Sequence, residues 1–199
     1  MKVAADLVRQ LRETTGAGIM ECRKALEETG SSMEKAVALL RERGVALAAS
    51  KEGRKAREGL IMAYVHHGGK LGALVELNCE SDFVARNEEF VTLTKELAMQ
   101  IAATSPKWVS REDVPADWLA GQQAEFGVQA EVAGKVAQKE EFVKERTEQL
   151  LSQVCLLEQP YIRDSAVIVG SLITDKVAKF KEKMKVRRFV IYKLGATEE

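Results

Sequence analysis

The sequence predicts an α+β protein: an N-terminal three-helix bundle, then a core domain in which a small antiparallel sheet packs against helices that include a helical hairpin. Three observations carry this. Apolar residues recur at helical spacing in three short blocks before residue 45, the period changes to two across residues 60–77, and helical spacing returns over most of 87–157. A final β-branched and aromatic run over 185–195 supplies a further strand.

The three N-terminal stripes are Leu7, Val8 and Leu11, then Ile19, Cys22 and Leu26, then Met33, Val37 and Leu40. Thr14-Thr15-Gly16-Ala17-Gly18 supplies backbone freedom for the first turn and Thr29-Gly30-Ser31 for the second, with Ser31 and Glu34 at capping-box spacing and Gly44 as a C-terminal stop. Residues 46–58 carry little large apolar material and a modest basic excess, so they read as a linker between a module at 1–45 and a core domain at 59–199.

The core opens with a hairpin. Leu60–Val65 and Leu71–Leu77 alternate, and Gly68-Gly69 between them suits a tight turn. The second strand stops at Asn78-Cys79, and within a few residues Phe90, Leu93, Leu97 and Ile101 mark an amphipathic helix from about 87 to 104, which must end before Ser105-Pro106. Lys107-Trp108-Val109 reads as a short extended piece. Asp113-Val114-Pro115-Ala116 opens a helical region that pairs with a long helix near 137–157, with Gly121, Gly127 and Gly134 as possible breaks. A helix near 170–180 precedes the last strand.

Composition excludes several classes. Thirty basic residues balance thirty acidic ones across 199 residues, so no global field draws the chain to nucleic acid or an acidic membrane. The apolar runs are short of a membrane span, and residues 1–20 lack the pattern of a secretion signal. Cys22, Cys79 and Cys155 are widely separated and odd in number, which argues against a disulfide framework or a zinc site and fits a reducing cytoplasm.

Chemistry-bearing residues converge on the strand-to-helix corner at 78–87. Two readings of it are open. In one it is a helix start, with Asp82 or Asn87 capping amides, Glu88 and Glu89 favoured at the positive end of the helix dipole, and Phe83 closing the core. In the other, Asp82 and Phe83 project from a rigid support as an anchor for another protein. Elsewhere, Arg23-Lys24 would suit a DNA-reading helix, but Glu21, Glu27 and Glu28 surround it. His66 and His67, adjacent on a strand, point to opposite faces and gain no third metal ligand by spacing. Acid–base catalysis by Asp82 with either histidine lacks any spacing that unites the groups, and phosphate-loop, dinucleotide and nucleophile-elbow motifs are absent.

The stretch Cys79-Glu80-Ser81-Asp82-Phe83-Val84-Ala85-Arg86-Asn87 resembles the signature of the elongation factor Ts family, in which Thr-Asp-Phe-Val-Ala is followed by a basic residue and Asn or Asp. Ser81 in place of threonine keeps the hydroxyl. Leu11 to Leu26, with its Thr-Gly-Ala-Gly turn, is similar to the family's opening, Val154 to Asp164 to its Leu-Leu-Asp-Gln-Pro-Phe-Val-Lys-Asp segment, and Val186-Arg187-Arg188-Phe189-Val190 to its closing strand. The resemblance is weakest over 117–150.

It implies a ubiquitin-associated-like N-terminal module and exchange of guanine nucleotide on the translational GTPase elongation factor Tu. Phe83 would insert between helices of the GTPase and Asp82 would help disturb its Mg²⁺–phosphate site, with Ser81, Val84, Arg86 and Asn87 completing the contact. The module would dock through residues around Leu11, Arg12, Gly16, Gly18, Met20 and Cys22. The single hairpin-plus-motif matches the shorter bacterial form, implying a homodimer in a two-plus-two complex. No cofactor, metal, catalytic group, direct nucleotide binding, nucleic acid or membrane contact is expected. An adaptor of ubiquitin-associated type without exchange activity is the alternative.

Overall fold

A computed structural model describes residues 3–196. In chain order the elements are α1 (Ala5–Thr15), α2 (Ile19–Glu28), α3 (Met33–Ser50), β1 (Glu58–Val65), β2 (Leu71–Cys79), α4 (Asp82–Ala85) and α5 (Glu88–Thr104). Then come α6 (Ala116–Val132), α7 (Lys139–Val154), β3 (Pro160–Tyr161), β4 (Asp164–Ile168), α8 (Val169–Phe180) and β5 (Lys185–Lys193). The fold is the expected α+β: an antiparallel sheet in the order β1-β2-β5, a two-stranded sheet β3-β4, and helices. Gly68 and Gly69 close the β1–β2 turn with φ of 91° and 69°, values a Cβ would oppose.

Among the described residues, one compact unit gathers the chain up to Ile61 with Glu76–Thr94 and Ser171–Val186; the other gathers Met62–Val75, Lys95–Gly170 and the chain from Arg187. In the first unit, α1, α2 and α3 enclose Val8, Leu11, Cys22, Ala25, Leu26 and Ala36. Two local expectations are corrected here. The cap of α3 is Ser32, whose hydroxyl accepts from Lys35 N at 3.5 Å, because Ser31 takes φ 66° to close the preceding turn and so leaves the extended cap conformation to its neighbour. Gly44 does not stop the helix, which continues to Ser50; it is buried, and a Cβ there would lie 3.3 Å from the Ala178 methyl, so its role is the close approach of α3 to α8.

In the second unit, α6 and α7 form the predicted hairpin. Gly121 and Gly127 lie inside α6, and only Gly134, at φ 70°, marks a break. Buried Gln100 on α5 donates to the side-chain oxygen of Gln159 at 3.2 Å and to Pro160 O at 3.1 Å, and accepts from Ile162 N at 2.8 Å. This places the Gln159-Pro160 landmark: it satisfies a polar group inside the core. Trp108 bridges to Cys155, so the short extended piece is also observed.

Candidate partner-binding site

The corner begins where β2 runs out. Ala73, Val75, Leu77 and Cys79 are buried at every second position, so the strand has one face inward, and Asn78 is held by donating to Glu58 O at 3.2 Å. Two residues later the chain turns into α4, a single turn of four residues. Val84 and Ala85 face inward at 4% and 2% exposure, while Asp82 is exposed and Phe83 is 82% exposed. The expectation that Phe83 closes the core is not met; Val84 and Ala85 do that, and Phe90 at the start of α5 is fully buried. An aromatic ring left in water, backed by a buried turn, is the arrangement of a contact anchor.

Capping differs from the expectation in part. Ser81 is the N-cap of α4, its hydroxyl accepting from Val84 N at 3.3 Å. Asn87 does cap α5, accepting from Glu89 N at 2.9 Å. Asp82 caps nothing through its side chain; it pairs with Arg86 one turn on, at 2.9 and 3.1 Å, on the exposed side of α4. Both charges are therefore presented to solvent beside Phe83, and an exposed pair of this kind costs little to rearrange.

A second layer of polar contacts holds the corner from the far end of the chain. The Glu182 carboxylate, just beyond α8, accepts from Glu80 N at 3.1 Å, Ser81 N at 3.0 Å and the Ser81 hydroxyl at 2.6 Å. Glu80 in turn accepts from Lys183 N at 2.6 Å and from the Arg54 guanidinium at 3.1 Å. The Lys183 amide, then the Arg54 guanidinium, hold the Glu80 carboxyl below the usual carboxylate range against the opposing effect of burial. Beneath it the Cys79 thiol donates to Ser81 O at 3.2 Å, and burial, reinforced by the Glu182 charge, pushes its pKa up to about 11. Sequence reasoning reads Arg54 only as one of the basic linker residues and passes over Glu182 and Lys183, which lie far from the corner in sequence and on no apolar period.

The N-terminal candidates divide in the same way. Arg12, Gly18 and Met20 are exposed, Met20 to 61%, and Ile19 beside it to 54%; Gly16 is half-buried with φ 68°. Leu11 and Cys22 are fully buried, and Val84 of the corner nearly so, which corrects the expectation of direct contact for these three side chains: they are core groups that shape the surface above them. The α1–α2 turn is tied down by Gly16 N donating to Arg12 O at 2.7 Å and by Gly18 N donating to the Glu21 carboxylate at 3.3 Å. Lys181 pairs with Glu21 at 2.7 Å, and this contact, with the Gly18 amide, lowers the Glu21 pKa in spite of burial. Among the described residues no cluster of His, Cys, Asp and Glu is arranged to hold a metal, and no helix is long and apolar enough to cross a membrane.

Comparison with known proteins matches this arrangement to one family. The sequence profile described as Elongation factor TS matches residues 2–196. The chain is 50% identical over 195 residues to elongation factor Ts of Desulforamulus reducens, covering 98% of this chain and 90% of that one. It is 44% identical over 199 residues to elongation factor Ts of Thermodesulfovibrio yellowstonii, covering both chains completely. With elongation factor Ts of Fervidobacterium nodosum it shares 45% identity over 196 residues, 98% of this chain and all of that one. A match of this length and identity shows the family: the chain belongs to the elongation factor Ts family of translation elongation factors.

Proposed function

We propose that this chain is the guanine-nucleotide exchange factor of elongation factor Tu, with Asp82 and Phe83 as the group that dislodges GDP. The observation that carries this is Phe83: 82% exposed on a one-turn helix whose next two residues are buried. A factor speeds release only by binding the nucleotide-free GTPase more tightly than the loaded form, so it needs a contact that the loaded form resists. A rigidly backed aromatic ring, inserted between helices of the GTPase, is such a contact. Asp82 beside it brings negative charge toward the Mg²⁺–phosphate site, and weakening the hold on Mg²⁺ removes the largest charge retaining the diphosphate. The chain itself binds no nucleotide and makes or breaks no covalent bond in this scheme.

In the same reading the ubiquitin-associated-like module of residues 1–45 sets affinity through Arg12, Gly16, Gly18 and Met20. The core domain, 59–199, carries the wedge, and 46–58, whose first residues form the last turn of α3, connects them. A cytoplasmic location suits the three unpaired thiols. A homodimer, giving a two-plus-two complex, is supported by Val65, Leu74, Val190 and Tyr192, which are 39–66% exposed on strands of the three-stranded sheet. Sedimentation of the chain alone tests the dimer.

Release of a fluorescent GDP from elongation factor Tu, followed with and without the chain, tests the activity. Acceleration that saturates with factor concentration is the expected result. A folded chain that binds the GTPase without accelerating release would be an adaptor, and the exchange reading would be wrong.

A further inference from the structure

We propose that Glu182 is a positioning residue for nucleotide exchange, forming with Glu80 a reciprocal latch that fixes the direction of Phe83; this rests on the exchange reading above. The corner has a problem of its own making. A helix of four residues is too short to stabilise itself, because nucleation fixes several backbone angles for a single hydrogen bond. Val84 and Ala85 anchor its underside, but the residues that enter it, Glu80 and Ser81, follow the last residue of β2, and their amides need partners.

Glu182 supplies both at once. One carboxylate oxygen accepts the Glu80 and Ser81 amides at 3.1 and 3.0 Å, and the other accepts the Ser81 hydroxyl proton at 2.6 Å. With its proton committed to Glu182, the hydroxyl turns a lone pair toward Val84 N at 3.3 Å, which is the cap of α4. Thus Glu182 orients the cap as well as the entering strand. The return half of the latch is Glu80, which accepts Lys183 N at 2.6 Å and Arg54 at 3.1 Å. Each carboxylate thus accepts from donors on the other's segment, with Arg54 adding a charged donor to Glu80.

The consequence is directional. Losing Glu182 leaves the buried anchors in place, so the chain still folds and docks, but the turn that carries Phe83 is free to fray. A ring that must enter a defined gap loses rate when its direction is lost, even if its surface area is unchanged.

The test is GDP release from elongation factor Tu across a range of factor concentrations, with full-length wild type, Glu182→Ala, Glu182→Gln, Phe83→Ala and the Glu182→Ala/Phe83→Ala double variant. We expect Glu182→Ala to lower the maximal release rate about tenfold and to leave the half-saturating concentration within about twofold of wild type. Glu182→Gln keeps one acceptor oxygen for the amides but offers an NH₂ to the Ser81 hydroxyl, so it should recover part of the rate, to within about threefold of wild type. In the double variant the rate should match Phe83→Ala alone, because the latch acts through that ring. Unchanged maximal rate in Glu182→Ala, or losses that multiply in the double variant, would overturn the proposal. Should Glu182→Ala fail to fold, a folded Glu182→Gln with the full wild-type rate would overturn it equally. A wild-type chain that does not accelerate release at all would instead refute the exchange reading.

Discussion

Phe83→Ala separates an anchor from a core residue by magnitude. A phenylalanine side chain offers on the order of 200 Å², and with 82% of the residue exposed about 160 Å² remains to be buried by a partner. At about 25 cal/mol per Å² this sets a ceiling of roughly 4 kcal/mol. Alanine retains a methyl and interface packing is incomplete, so about 2 kcal/mol is the working figure, equivalent to about a 30-fold fall in the exchange efficiency on elongation factor Tu. Folding should scarcely notice: an exposed substitution of this kind costs about 0.5 kcal/mol or less, a shift in melting temperature of about 1–2 °C for a chain of this size. Phe90→Ala is the contrast. That ring is 0% exposed, and its removal should cost about 3–5 kcal/mol of stability and lower the melting temperature by roughly 10 °C. Fluorescent GDP release and thermal melting on the same preparations give both numbers. If Phe83→Ala destabilises like Phe90→Ala, or leaves exchange unchanged, the anchor argument is refuted.

Three further outcomes follow from named contacts. Met20→Ala, removing an exposed side chain of the N-terminal module, should raise the half-saturating concentration for exchange about 3- to 10-fold with the maximal rate unchanged; a fall in maximal rate instead would assign the module to the chemistry of release. Glu89 is hydrogen-bonded by Lys176 and Lys179, which hold its pKa below the ordinary range. Its contribution to stability is therefore complete above the unfolded value of about 4.3 and is lost as pH falls through the lower folded value, so Glu89→Gln should lower the melting temperature at neutral pH and converge on wild type at acid pH, flattening the acid limb of the profile. Burial pushes the Cys79 and Cys155 thiols up to about 11. At pH 8 both should alkylate about 200-fold more slowly than in the unfolded chain on thiolate fraction alone. The stability held by the protonated thiols is complete below about 8.5 and disappears as pH rises through about 11.

What the sequence displayed of this site follows from which contacts are local. The change from period two to helical period placed the corner within a few residues, because β2 and α5 are each long enough to show their apolar faces. Inside the corner the periodic signal ends. Four residues of α4 make one turn, too few to distinguish Phe83 outward with Val84 inward from the reverse, and hydrophobicity alone favours burying the larger ring. Of the two caps the helix-start reading offers, Asn87 caps α5, whereas the Asp82 carboxylate meets Arg86 at i+4 and α4 is capped by Ser81, whose hydroxyl is oriented by a residue 101 positions away. Gly44 misled for a related reason: a glycine near a helix end reads as a stop, and only the Ala178 methyl packed against it shows that the missing side chain is needed for helix contact. For Leu11 and Cys22 the resemblance names the region of a docking surface while the apolar stripes make a core position equally open, and their complete burial agrees with the stripes.

The long-range contacts that sequence could not display have a pattern of their own. They gather on α8 and the few residues after it. Lys176 and Lys179 reach Glu89 at the start of α5, Lys181 reaches Glu21 beside the α1–α2 turn, Glu182 takes the amides of the corner, and the Lys183 amide binds Glu80. Residues 181 and 182 are adjacent, so the surface carrying Met20 and the turn carrying Phe83 are fastened to consecutive positions of one backbone. For an exchange factor this matters energetically. Two contacts joined by a loose tether bind nearly independently, and the favourable one can form while the costly one stays out, leaving the GTPase loaded. On the proposed exchange reading, a module and ring joined through a short, hydrogen-bonded segment would deliver binding energy only with the ring directed at its gap, so that affinity gained at one surface would offset the resistance met at the other.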